Sequence, residues 1–187
     1  MEPRGPEGRV VVTGMGVVTV LGDSVPAYWE SLRAGRSGIT RWKNATEHPT
    51  VAIAGDLSDF DHEAHLAASA YPAALAAKAR KLLRPTPPTG RISLPASLQA
   101  FVDAGLPHAA LAPERFAHVM AGHNVNGNYA YETCKAFLQE PEFIDPLFGM
   151  VGGDTDALSL ASELLELRGP SFTVGGACAS GNLALLT

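Results

Sequence analysis

Residues 169–182, Gly-Pro-Ser-Phe-Thr-Val-Gly-Gly-Ala-Cys-Ala-Ser-Gly-Asn, constrain this chain more than any other stretch, because a β-rich run delivers one cysteine, Cys178, into a turn of small residues. That is how a nucleophile is presented. Gly176, Ala177, Ala179 and Gly181 let the backbone turn sharply and an acyl group come close, and a helix starting near Ala179 sets its positive end against the sulfur. Cysteines in such settings are activated nucleophiles. The competing reading is a small buried hydrophobe, the usual state of a free cysteine. The glycines argue against it, since a core strand gains nothing by losing side chains.

Upstream, strands alternate with helices. Residues 9–13 form a β-branched run closed by Gly14 and read as a buried strand. Residues 25–34 have apolar positions at helical spacing and stop at Gly35, and residues 51–55 suit a short strand. The alanine-rich stretch 64–83 is helical, interrupted at Tyr71-Pro72; Pro85, Pro87, Pro88 and Gly90 break the pattern before a helix over 95–104. Residues 116–121 are a second buried strand, followed by a Gly/Asn loop through Asn128. Helices over 131–138 and 157–167 flank a loop at 141–146, and residues 172–176 are the third strand. Such alternation implies an α/β sheet covered by helices.

Several motifs compete for attention. Gly14-Met15-Gly16 after a strand suggests dinucleotide binding, but that fingerprint needs a small residue where Thr19 stands, so the glycines are read as turn-formers. Gly176-x-Cys178-x-Ser180 echoes the nucleophile elbow of hydrolases, yet no histidine and acid follow it in the chain. His48, His62, His65, His108 and His118 read as surface or loop residues, without metal-ligand spacing except a weak His62/His65 pair that has no further ligand nearby, and His123 as a polar loop residue. Asp154 and Asp156 read as helix caps. Cys134 lies in a helical stretch and reads as structural. Lys78, Arg80, Lys81 and Arg84 form a dense basic cluster that is by default a solvated helix face.

The 187 residues are 46% hydrophobic with a net charge of −5. This is the composition of a globular domain and gives no general attraction to nucleic acid. Residues 1–8 are polar and Pro/Gly-rich and read as a flexible N-terminus, not a signal peptide or anchor. Nothing suits a bilayer span, so the expected location is cytoplasmic. Two cysteines make neither a disulfide framework nor a metal site.

Three blocks, taken in order, resemble the β-ketoacyl synthase (condensing enzyme) family of the thiolase-like superfamily. The first is Arg9-Val10-Val11-Val12-Thr13-Gly14-Met15-Gly16, continued by Gly22, Trp29, Leu32, Gly35 and Ser37-Gly38-Ile39. The second is Arg80-Lys81 and Arg84 followed by residues 98–106, and the third runs from Leu167 to Cys178.

The resemblance implies an α-β-α-β-α layered sandwich of two similar halves. Residues 9–187 would then be the N-terminal half, ending just after the nucleophile turn. It implies an acyltransferase in which Cys178 takes an acyl group from an acyl carrier protein before a decarboxylating Claisen condensation, in fatty-acid or polyketide biosynthesis. It implies no cofactor beyond the carrier's phosphopantetheine. Arg80, Lys81 and Arg84 would dock the carrier, and Val125 would line the acyl pocket. Two histidines and a lysine for the second half-reaction would come from the second half, so this chain alone is expected to be inactive. Either a truncated polypeptide or a complementary chain is implied, with a homodimer or heterodimer formed through the strand at 172–176. The alternatives are a malonyl-carrier decarboxylase or acyl transferase of a polyketide cassette, the decarboxylases of that type tending to lack the cysteine, or a non-catalytic half supplying only a dimer surface and an acyl tunnel.

Overall fold

The computed structural model describes residues 10–43, 50–110 and 112–187. The expectations for Arg9, for residues 1–8 and for His48 lie outside these residues.

Eight helices and four short strands are found among the described residues. They are α1 (Val25–Arg33), β1 (Thr40–Arg41), β2 (Ile53–Ala54), α2 (His62–Ala68), α3 (Ala73–Leu83), α4 (Pro88–Asp103), β3 (His118–Ala121), α5 (Gly127–Gln139), α6 (Phe148–Val151), α7 (Asp156–Leu165), β4 (Ser171–Val174) and α8 (Ser180–Leu186). The β1–β2 pair is antiparallel and peripheral. The β3–β4 pair is parallel, His118 opposite Ser171 through Ala121 opposite Val174, and needs the long crossover that α5 to α7 provide.

The core lies between helices. Leu66 of α2, Ala79 and Leu83 of α3, Leu94 and Leu98 of α4, and Ala161 and Leu164 of α7 form one buried cluster. The periodicity explains it: Ala157, Leu158, Ala161 and Leu164 occupy one stripe of α7, while Ala76, Ala79 and Leu83 occupy one stripe of α3. Fully burying one leucine contributes about 2 kcal/mol, so this cluster is what fixes α7 beneath the β3–β4 pair. No described helix is long and apolar enough to cross a membrane.

Three expectations need correction. Residues 10–13 are not a buried strand: Val10 is 94% and Val12 77% exposed, and no described strand pairs with them. Their β-branched side chains satisfy strand propensity, but propensity cannot supply a ladder partner. Helix α4 begins at Pro88, not Pro95. Pro88 suits a first helical position, and Pro95, fully buried, is carried inside the helix at the loss of one backbone hydrogen bond. The Gly/Asn loop ends sooner than expected, since α5 starts at Gly127.

Gly14 and Gly16 have a packing explanation. A Cβ at Gly14 would overlap the Ala100 carbonyl oxygen and one at Gly16 the Ala96 carbonyl oxygen, so the glycines let the N-terminal segment lie directly on α4. Asp103 and Gln99 of α4 complete that seam, accepting from the Met15 amide at 2.9 Å and the Val17 amide at 3.3 Å.

Candidate active site

Strand β4 ends at Val174, Gly175 and Gly176 turn the chain, a single 3₁₀ turn spans Ala177–Ala179, and α8 starts at Ser180. This is the strand–turn–helix the sequence predicts, with the helix one residue later. Cys178 is exposed at the apex. The turn is strained: Ala177, which has a Cβ, sits at φ +47°, a left-handed conformation that costs about 1–2 kcal/mol for such a residue.

Ser180 holds that strain in place. Its buried hydroxyl accepts from the Gly176 amide at 2.9 Å and donates to the Ala177 carbonyl at 2.8 Å, and the Ala179 amide bonds the Gly176 carbonyl at 2.9 Å. The peptides before Cys178 are thus tied to the first residue of α8 or to each other. The elbow-like pattern Gly176-x-Cys178-x-Ser180 includes Ser180 but does not reveal this bracing role, although its spacing of four from Gly176 is that of one closed turn. A Cβ at Gly176 would press on the tip of the exposed Leu183 side chain, which can move aside. A Cβ at Gly181 would meet nothing within 4 Å.

The loop leaving β3 runs beside this turn. Its backbone is clamped by Asp154, whose two carboxylate oxygens accept from the Asn124 and Val125 amides, each at 2.8 Å. Asp154 is thus no helix cap. The N-cap of α7 is Thr155, without a side-chain bond, and Asp156 lies in the first helical turn. Burial pushes the Asp156 carboxyl above the usual range, and its Oδ2 has no partner. On the same loop, the buried Asn126 donates to the Val151 and Gly153 carbonyls at 2.8 and 3.1 Å. From the other side Thr89 donates to the Val125 carbonyl at 2.6 Å. Val125 itself is half-buried.

The basic cluster is less free than its composition suggests. Lys78 is bonded to the Glu163 carbonyl and pairs with Glu163 and Glu166 at 3.5 and 3.7 Å, and Arg80 pairs with Glu63 at 3.3 Å. Lys81 and Arg84 are exposed at the end of α3. The Pro/Thr corner after them is ordered by the buried Thr86, which donates to the Leu82 carbonyl at 2.8 Å, and by Thr89 on the Val125 loop.

Two histidines depart from the surface reading. His65 is buried, its Nδ1 2.8 Å from Asp23 and its Nε2 3.0 Å from the Tyr71 hydroxyl, so both nitrogens are committed to a structural network. His118 on β3 is half-buried with Nδ1 3.1 Å from Ser162, and burial lowers its pKa. Neither can be recognised from local sequence, since their partners lie 42 and 44 residues away. Cys134 is on α5 as expected, but exposed and not packed. No group of three or more His, Cys, Asp or Glu suited to a metal occurs among the described residues.

A family model described as "Beta-ketoacyl synthase, N-terminal domain" matches residues 7–187. The chain is 28% identical over 178 residues, 95% of its length, to the polyketide biosynthesis malonyl-ACP decarboxylase PksF of Bacillus subtilis, and covers 40% of that protein. It is 32% identical over 178 residues to 3-oxoacyl-[acyl-carrier-protein] synthase 2 of Coxiella burnetii, covering 92% of this chain and 39% of that one. Its fold matches a β-ketoacyl synthase crystal structure from Burkholderia phymatum at TM-score 0.68 and 21% identity, over 94% of this chain and 41% of the other. It matches the ishigamide ketosynthase/chain length factor at TM-score 0.61 and 25% identity, over 88% and 39%. The chain thus spans about two-fifths of the length of these relatives, with the thiolase-like fold of ketosynthases. On the matched residues and the shared fold, it belongs to the β-ketoacyl synthase family as that family's N-terminal domain.

Proposed function

We propose that this chain supplies the nucleophile of a carrier-dependent condensing enzyme of fatty-acid or polyketide biosynthesis. The observation that carries the reading is Cys178, exposed at the apex of a strained turn that Ser180 braces. The thiolate attacks the thioester carbonyl of an acyl carrier, the carbonyl oxygen becomes an oxyanion, and its collapse expels the phosphopantetheine thiolate, leaving the acyl group on sulfur. Backbone N–H groups of the turn are the available oxyanion donors, and losing one such donor typically costs about 3 kcal/mol.

Condensation asks for more. In the family, acid/base groups for decarboxylating the extender come from the second half, so the chain works with a complementary C-terminal segment. Strand β4, whose one described neighbour is β3, is the edge offered to a two-fold mate. Lys81 and Arg84, free of carboxylate partners among the described residues, form the docking surface for an acidic carrier, with Arg80 contributing beside Glu63. Val125, tied to the corner that follows them, lines the acyl pocket. No cofactor is required beyond the carrier's phosphopantetheine.

The likeness to PksF, named as a malonyl-ACP decarboxylase, favours a second reading: decarboxylation of a malonyl carrier without condensation. Carbon dioxide release from a malonyl carrier by the Cys178→Ala protein separates the two. Release that survives this substitution, with no acyl group ever found on sulfur, supports the decarboxylase. Acyl-enzyme on Cys178 supports the synthase.

A further inference from the structure

The loop leaving β3 and the turn leaving β4 meet at His123. The parallel register sets Ala121 opposite Val174, and the Gly122 amide donates to the Val174 carbonyl at 3.1 Å, so both chains leave the sheet at one level. Just beyond, His123 takes the space beside Gly175. A Cβ on Gly175 would lie 3.5 Å from the His123 Nδ1 and 3.3 Å from the Gly122 carbonyl oxygen. Gly175 is three residues before Cys178, so the imidazole stands where the nucleophile turn begins.

The ring is not needed to hold its loop. Asp154, Asn126 and Thr89 fix the backbone from both sides, while His123 is exposed and neither ring nitrogen is hydrogen-bonded among the described residues. A polar ring with both nitrogens uncommitted, on a clamped loop beside the first residue of the nucleophile turn, is placed to read what the nucleophile carries.

We infer that His123 is a specificity-determining residue for the acyl group on Cys178, favouring a neutral acyl chain bearing an oxygen near the thioester over a plain alkyl chain of equal length. The inference rests on the reading of Cys178 as the acyl-bearing residue. An alkyl chain drawn across His123 strips water from the ring nitrogens and offers nothing back, whereas a hydroxyl or keto oxygen replaces the lost hydrogen bond. Asn124 adds a polar side chain to the same loop and is exposed like His123. Neutrality follows from the charges nearby. The Asp154 carboxylate bonds the two amides directly after His123, and β3, β4 and α8 carry no lysine or arginine to receive an acidic acyl group.

The test uses two pantetheine thioesters of the same carbon number, 3-hydroxybutyryl and butyryl. In each, a bond forms between the Cys178 sulfur and the carbonyl carbon, and pantetheine leaves as its thiol. Each protein is supplied with its C-terminal half, loading rates are read by intact mass, and the fold of each variant by thermal unfolding. The wild-type chain should load 3-hydroxybutyryl about tenfold faster, the equivalent of one hydrogen bond. His123→Leu should erase that ratio, His123→Gln should keep most of it, and His123→Asn, polar but too short to reach, should lose it. Equal rates in the wild type, or an unchanged ratio in a folded His123→Leu or His123→Asn protein, would overturn the inference. Loading of neither thioester on Cys178 would instead overturn the reading on which it rests.

Discussion

The Gly176 amide donates to the Ser180 hydroxyl at 2.9 Å, bridging the end of β4 to the first turn of α8 with Cys178 midway between. Because the same hydroxyl donates to the Ala177 carbonyl, one side chain closes the turn from both ends. Ser180→Ala removes both bonds and leaves a half-buried amide without that partner. The protein should lose about 1–2 kcal/mol of stability. Ala177 would then relax from φ +47°, and acyl loading on Cys178 should slow about tenfold. Denaturant unfolding and a loading time course check the two effects separately.

Asp154 clamps the β3 loop through the amides of Asn124 and Val125. Asp154→Ala strands two N–H groups, and hydrogen bonds to a charged acceptor contribute about 1.5–3 kcal/mol each. The predicted loss is therefore in that range or somewhat above it, measured by denaturant unfolding. Asp154→Asn, which keeps one acceptor oxygen, should recover part of it.

Burial lowers the pKa of His118 below its ordinary 6.5. Above pH 6.5 the ring is neutral in both folded and unfolded chains and the group has no effect on stability. As pH falls through 6.5 the unfolded chain takes up a proton that the folded one resists, so stability is lost from there downward. Thermal unfolding between pH 8 and 5 should show this decline, and His118→Asn, which does not titrate, should flatten it.

Lys81→Glu with Arg84→Glu should weaken carrier-protein binding about tenfold at low salt and much less at high salt, since exposed charges are screened over roughly 10 Å at 0.1 M. Lys78→Gln, in a residue committed to Glu163 and Glu166, should change little. Affinities across a salt series decide whether this end of α3 is a docking surface or a solvated face.

Much of this architecture was legible in the residues because it is local. The break at Tyr71-Pro72 falls between α2 and α3 as expected, Gly35 follows α1 at φ +63°, and the Cys178 turn has the strand before it and the helix after it. What was not legible depends on residues far apart in the chain. The histidine network needs Asp23, His65 and Gln99 brought together, and the role of Asp154 exists only because its connector lies beside the β3 loop. Val10, Val11 and Val12 mislead in the opposite sense. Their local propensity is strand, yet burial requires a neighbour that none of the described elements provides.

The central claim is that Cys178 carries the acyl group, and intact-mass analysis after incubation with an acyl-carrier substrate tests it most directly. The account predicts one acyl adduct on the wild-type chain supplied with its C-terminal half, the same adduct on Cys134→Ala, and none on Cys178→Ala. An adduct of equal yield on the Cys178→Ala protein, or no adduct on any of the three, would contradict it.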